Sequence, residues 1–342
     1  MTEPQVVLSG MRSTGKIHLG NYFGALKNWV GLQDSYACYY FAADWHALTS
    51  DYADPSAIAE NTLEMVADWI GAGLDPEKSV IFVQSMVPEH AELHLLLSML
   101  TPLGWLERVP TYKEQIRQIE NKDLATYGFL GYPLLQTVDI IIYRAHWVPV
   151  GEDQASHIEI SREIARRFNT FYGEVFPEPK ALFTPTPKVP GIDGRKMSKS
   201  YGNAINLADP PDVIRQKCKE MFTDPQRLRR KDPGRPEVCN LFEFHKLLSP
   251  VEVQERVAHD CRAALIGCVD DKKLLAEIII EALDPIRRRR EELLADRDTL
   301  FDILQAGAAK ATERARETME RVRSAMSLDY RSQRKLLQKV EA

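Results

Sequence analysis

Three places along the chain carry residue types that can do chemistry. The first is Gly194-Arg195-Lys196-Met197-Ser198-Lys199-Ser200-Tyr201-Gly202-Asn203. Two lysines three residues apart, with small hydroxyl residues between glycines, make a flexible cationic loop. Such a loop can close on a polyphosphate and neutralise charge on a departing pyrophosphate. The second is Ser9-Gly10-Met11-Arg12-Ser13-Thr14-Gly15-Lys16-Ile17-His18-Leu19-Gly20-Asn21. Gly15 and Gly20 let the backbone approach a ligand closely, and His18 and Asn21 can donate to phosphate or ribose. This is neither a dinucleotide-fold glycine pattern nor a P-loop. Taken alone, it reads equally as a glycine-containing turn with a capping Asn, and the Lys-Ser stretch alone reads as a solvated loop. The third is Asp139, set between Val138 and Ile140-Ile141-Ile142, where an unpaired carboxylate is costly. The ordinary reading there is a buried aspartate satisfied by backbone or an arginine.

The elements around these residues alternate. Val6 to Leu8 reads as a strand that breaks into a loop at Ser9-Gly10. A helical pattern follows from Asn21, with Phe23, Leu26 and Val30 near one face. Cys38 to Ala43 is the next strand, and a helix after Pro55 stops at Gly71 and Gly73. Val80 to Val83 is a third strand. This rhythm predicts a parallel sheet with crossover helices, which places the His18 segment where open α/β sheets bind ligands. Residues 88–144 turn mainly helical and read as an insertion. Trp147 to Val150 returns as a strand and leads into a helix carrying Ile158, Ile164, Phe168 and Phe171. Pro177 to Pro190 reads as loop, and after Asn206 the chain is helical, punctuated by Pro210, Pro225, Pro250 and Pro285. The expected fold class is therefore α/β, a doubly wound parallel sheet over residues 1–204 with the helical insertion, followed by an α-helical domain over 205–342.

Composition sets bounds. A chain of 342 residues can bury two sizeable cores. Its net charge of −5 supplies no global field to draw it onto nucleic acid, so contacts of that kind must come from local basic patches. The N-terminus lacks a secretory pattern, no apolar run approaches the roughly 18 residues of a membrane span, and five cysteines do not read as a disulfide framework. A cytoplasmic setting is expected.

His18-Leu19-Gly20-Asn21 resembles the first signature of class I aminoacyl-tRNA synthetases, and Lys196 to Ser200 resembles the second. Between them lie Ala43-Asp44-Trp45-His46-Ala47, Val83-Gln84-Ser85, Tyr132-Pro133, and Val148-Pro149-Val150-Gly151-Glu152-Asp153-Gln154 with His157. Together these are similar to the tryptophanyl-tRNA synthetases of bacteria. The resemblance implies that Arg12, Ser13, Thr14, Gly20, Asn21, Gly151, Glu152, Asp153, Val189, Lys196, Met197, Ser198, Lys199 and Ser200 hold ATP, which enters with Mg2+. It implies Lys196, Lys199 and His18 as the catalytic groups and Asp139 as acceptor for the indole N–H, a donor with no acceptor ability. Tyr132 and Gln154 match positions that bind the α-ammonium, and His46 one close to the side-chain pocket. Their ordinary readings are a core tyrosine, a helix-start glutamine and a satisfied core histidine. Lys113 is a weaker phosphate candidate, and Gln136 departs from the methionine often found against the ring. A tRNA substrate and a homodimer built on the insertion are implied as well.

Tyrosyl-tRNA synthetases share both signatures, and small nucleotidyltransferases share a related one without the lysine loop or so large a helical domain. A paralogue that only binds RNA would have lost activation, yet both signatures are intact. Cys239, Cys261 and Cys268, followed by Asp271, match the spacing at which some relatives hold a four-iron four-sulfur cluster, with Asp271 in place of the fourth cysteine. Three ordinary buried thiols are the competing reading. Arg227 to Lys231, Arg287 to Arg290 and Arg331 to Lys339 are basic runs that either meet tRNA phosphates or form solvated faces.

Overall fold

The computed structural model describes residues 4–118, 123–151, 155–183 and 188–330. At its centre is a parallel sheet of β1 (Val6–Arg12), β2 (Ala37–Ala43), β3 (Ser79–Val83), β4 (Trp147–Val150) and β5 (Lys180–Phe183), ordered β3-β2-β1-β4-β5. The order reverses between β1 and β4, and the crevice at their carboxyl ends is where such sheets hold ligands. After β1, α1 (Leu19–Asn21) passes through a π-helical turn into α2 (Lys27–Leu32), and α3 (Asp44–Asp51) and α4 (Ile58–Gly71) lead from β2 to β3. The insertion carries α5 (Glu89–Ser98), α6 (Leu103–Glu107), α7 (Pro110–Gln118), α8 (Tyr127–Leu130) and α9 (Tyr132–Ile142). α10 (Ala155–Tyr172) joins β4 to β5. Then come α11 (Pro211–Glu220), α12 (Asn240–Leu248), α13 (Val251–Arg262), α14 (Cys268–Ala295) and α15 (Arg297–Ala325).

Both faces of the sheet are covered, so the strands are apolar almost throughout. On one face Cys38, Tyr40 and Ala42 of β2 meet α2, α4 and α14, with Trp29 stacked on Tyr40 at 4.7 Å. On the other, Phe41 and Phe82 meet α5, α9, α10 and α15. β1 does not break at Ser9-Gly10 but runs to Arg12. The glycine is there for packing, since a Cβ on Gly10 would fall 2.4 Å from the Phe41 ring.

Two other expectations are corrected. The supposed loop from Pro177 contains β5, which pairs with β4 from Lys180 to Phe183. It is a short edge strand, exposed at both ends, and carries little apolar signal. Pro285 does not end a helix, because α14 continues through it. Burial of Leu275, Ile279, Leu283 and Ile286 offsets the roughly 3 kcal/mol that an interior proline costs.

The late helices close on the sheet. α15 crosses β3 so tightly that a Cβ on Gly307 would lie 1.8 Å from the Ile81 carbonyl oxygen. Arg314 donates to the Tyr143 carbonyl at 2.8 Å and Arg316 to Glu89 at 2.9 Å, which ties α15 to the insertion. Among the described residues, no helix is long and apolar enough to cross a membrane.

Candidate active site

His18 caps α1. Its Nδ1 accepts from the Asn21 N–H at 3.2 Å, and Asn21 Oδ1 accepts from the His18 N–H at 3.3 Å. The two side chains thus order the start of the helix before any ligand arrives. A neutral imidazole accepting at Nδ1 carries its proton on Nε2, so the ring keeps a donor for an anion. Burial, then the charge of Lys199, lowers the His18 pKa to about 4. A Cβ on Gly20 would sit 2.8 Å from the His18 ring, so only glycine fits that contact.

The depressed pKa has a consequence for stability. Unfolded, His18 takes up a proton near pH 6.5, whereas folded it resists until about pH 4. Acid between those values therefore favours the unfolded chain. Asn is itself a good cap. Relative to His18→Asn, the parent is expected to lose on the order of 3 kcal/mol as pH falls through that window. Urea unfolding of both proteins at several pH values checks this, and parallel curves would refute it.

The lysine loop is built around Asn203. Its Oδ1 accepts from the Ser198 N–H at 2.8 Å, and its Nδ2 donates to Asp193 at 2.8 Å and to the Lys196 carbonyl at 3.2 Å. Gly191 leaves the room, since a Cβ there would be 2.2 Å from Asn203 Nδ2. The Met197 N–H bonds the Val189 carbonyl at 3.2 Å, and the Met197 side chain is buried in the core that holds Ile17 and Leu19. Lys196 stays exposed. Lys199 reaches across to the first segment, its Nζ donating to the Thr14 carbonyl at 3.3 Å. Desolvation there lowers the Lys199 pKa, with Asp68 acting against it. Just beyond, Leu19 N–H bonds the Ile205 carbonyl and Leu207 N–H the Ile17 carbonyl, both at 2.9 Å. The two cationic and glycine-bearing segments are stitched into one surface.

One face of α3 links this surface to Asp139. Ser50 accepts from Arg12 Nη2 at 2.6 Å, and four residues earlier His46 Nε2 lies 2.8 Å from Asp139 Oδ2. Arg12 Nε is buried without a partner at the end of β1, and desolvation lowers the Arg12 pKa. Gln84, directly after β3, donates to Asp139 Oδ1 at 2.7 Å. His90 Nδ1 is 2.9 Å from the same oxygen but off the hydrogen-bond line, and its Nε2 is 2.7 Å from the Tyr143 hydroxyl. Burial pushes the Asp139 carboxyl up, but His46 and His90 outweigh it and hold the pKa at about 2. Asp139 thus takes hydrogen bonds from one histidine and a glutamine, with the His90 ring beside it.

Of the other expected residues, Ser13 is buried and turned toward α4, its hydroxyl accepting from Thr62 at 2.7 Å. Tyr132 starts α9 beside Phe129 and His157. Gln136 lies one turn before Asp139, partly exposed, and Lys113 is exposed on α7. Gly151 follows β4, while Glu152, Asp153 and Gln154 lie outside the described residues, as does the Ser200 side chain.

This geometry has known counterparts. The family model described as class I tRNA synthetases (W and Y) matches residues 1–284. The chain belongs to this class I tRNA synthetase family. A tryptophan–tRNA ligase of Thermotoga maritima is 53% identical, the match covering 95% of this chain and 99% of that protein. One from Aquifex aeolicus is 44% identical over 94% of this chain and 99% of its own. The solved tryptophanyl-tRNA synthetase of Campylobacter jejuni, complexed with ADP and tryptophan, superposes with a TM-score of 0.89. It is 35% identical, and the superposition covers 95% of this chain and 100% of that one.

In this synthetase Cys239, Cys268 and Asp271 lie near enough to Cys261 to act on its charge. Arg227 Nη1 donates to both Cys261 Sγ, at 3.5 Å, and Cys268 Sγ, at 3.8 Å. Asp271, in the fourth position, is paired with His245 at 3.1 Å. Burial pushes the Cys239 and Cys261 thiols up. Among the described residues, no group of three or more His, Cys, Asp or Glu is arranged to hold a metal ion. The synthetase's basic runs also divide. Arg227, Arg287 and Arg290 are engaged inside the fold, and Arg229, Arg230, Lys231, Arg288 and Arg289 face solvent. Arg331 to Lys339 lies outside the described residues.

Three contributors carry no distinctive local pattern: Gln84 and His90 on Asp139, and Asp193 on Asn203. Gln84 was signalled only by the Val83-Gln84-Ser85 resemblance and by its position directly after a strand at the ligand end of the sheet.

Proposed function

We infer that the chain activates L-tryptophan with ATP and transfers it to the terminal ribose of tRNA(Trp). A tryptophan carboxylate oxygen attacks the α-phosphorus, and the bond to the bridging oxygen breaks. Pyrophosphate leaves, with magnesium entering as part of the nucleotide substrate. The tRNA ribose hydroxyl then attacks the adenylate carbonyl, and AMP departs. No protein nucleophile is required, so catalysis rests on positioning and charge stabilisation. The observation that carries this reading is the Lys199–Thr14 contact, which sets a cationic loop against the His18 segment at the switch point of the sheet.

We assign the ATP phosphates to His18, Gly20, Asn21, Lys196 and Lys199, with Arg12, Thr14, Gly151 and Val189 around them. Asp139 is assigned to the indole N–H, and Tyr132, Gln154 and His46 to the rest of the amino acid. Residues 1–204 form the catalytic part, and 205–342 meet the tRNA anticodon arm. A homodimer through the insertion is supported by Leu95, Met99 and Leu103, which leave 57%, 72% and 63% of their surface in solvent. The free thiols suit the reducing cytoplasm.

Pyrophosphate–ATP exchange with each of the twenty amino acids tests the substrate assignment. Exchange with tryptophan alone is expected. Exchange with tyrosine would replace the substrate, and silence with all twenty from folded protein would end the enzymatic reading.

A further inference from the structure

A buried carboxylate with no part in the steps above lies beneath the His18 segment. Asp68 of α4 is fully buried. Its Oδ2 accepts from the Ile17 N–H at 3.1 Å and its Oδ1 from Arg290 Nε at 2.7 Å. Arg290, only 8% exposed, comes from α14, and its Nη2 lies 3.3 Å from Glu64. The two helices touch through their backbones, since a Cβ on Gly71 would fall 2.8 Å from the Ile286 carbonyl. Burial raises the Asp68 pKa to about 6, against the pull of Arg290 and the Ile17 N–H. The charge of Asp68 is in turn felt at Lys199.

A buried ion pair is a poor device for stability alone, because apolar residues of similar volume often serve as well or better. Apolar residues cannot, however, supply an acceptor for the Ile17 N–H. Without one, Ile17 has a buried donor to satisfy, and it can do so only by moving. His18, the cap of α1, is the next residue and moves with it.

We propose that Asp68 is a positioning residue for ATP, holding the Ile17–His18 backbone in place, and that Arg290 fixes its carboxylate so that α14 bears directly on the nucleotide end of the site. The proposal rests on the assignment of the ATP phosphates to His18–Asn21. The chain reaches the site twice through this contact, once in α4 and once from the helices assigned to tRNA.

The test is the double variant Asp68→Leu/Arg290→Met, which keeps apolar packing between α4 and α14 but removes the acceptor. Thermal unfolding and pyrophosphate exchange are measured on the full chain. The midpoint is expected to stay near that of the parent, while kcat/KM for ATP falls about ten-fold or more and KM for tryptophan moves less than about two-fold. Parent-like values for ATP in a stable double variant would overturn the proposal and leave the pair a packing element. If that variant does not fold, Arg290→Lys keeps the charge without the planar fork. It should raise KM for ATP about three-fold, and no change there overturns the proposal equally. His18→Ala serves as the control. An unchanged KM for ATP in that variant would displace the phosphate assignment itself, an outcome separate from the role of Asp68.

Discussion

Lys199→Ala is expected to slow tryptophan-dependent pyrophosphate exchange by about 10²–10³-fold while changing folding stability by no more than about 0.5 kcal/mol. The side chain has solvent contact, and its ammonium donates to the Thr14 carbonyl, so little packing is lost. What disappears is a cation held over the junction of the two signature segments, where the proposed function has charge develop as the bond to the bridging oxygen breaks. Desolvation lowers the Lys199 pKa, which marks an ammonium not fully compensated by its surroundings and so available to a phosphate. Lys199→Arg should restore part of the rate, since charge is kept while the point geometry of the ammonium is not. Exchange within about three-fold of the parent for Lys199→Ala would place the critical charge elsewhere, with Lys196 the next to examine.

Replacing Asp139 should act on selectivity. Held at a pKa of about 2, this carboxylate remains an ionised acceptor throughout the pH range of any practical assay. A site built to receive an N–H rejects an isostere lacking it by about 10⁴-fold. Benzothienylalanine, in which sulfur replaces the indole N–H, is such an isostere. The parent is expected to prefer tryptophan over it by roughly that factor in kcat/KM, and Asp139→Ala to narrow the preference to below about ten-fold. The variant should also be destabilised by about 1.5–3 kcal/mol, because donors from His46 and Gln84 lose their charged acceptor. In the parent, that stabilisation is present above the unfolded carboxylate pKa of about 3.8 and is lost as pH falls toward 2. A preference surviving intact in a folded Asp139→Ala protein would remove the carboxylate from indole recognition.

Much of this was legible in the chain before its fold was known. Trp147–Val150 is a strand with the bounds its residues indicate, and β2 and β3 differ from their sequence bounds by a single residue. These strands are apolar runs closed by turn residues, and local pattern suffices for them. Gly10 defeated the same logic because glycine signals a loop locally, whereas here its absent side chain makes room for Phe41 from the next strand. β5 was hidden because an edge strand exposed at both ends leaves no apolar stripe, and Pro285 because tertiary burial overrides propensity. The site divides in the same way. His18, Asn21 and the lysine loop announce themselves in short strings, and the structure brings them together through Lys199 and Thr14. The partners of Asp139 come from α3, the end of β3 and α5, up to 93 positions away, and no local spacing encodes that convergence.

The contact between Gly307 and Ile81 bears on how the protein is made. β3 is an edge of the sheet, and the helix lying across it begins more than two hundred residues later. A sheet that forms before α15 is made has that edge bare, and a bare edge is a template for another chain. Contacts of such sequence separation also form slowly. Nascent molecules that stall before α15 appears are thus the population most exposed to misassembly, and their need for chaperones should ease abruptly once Gly307 can dock.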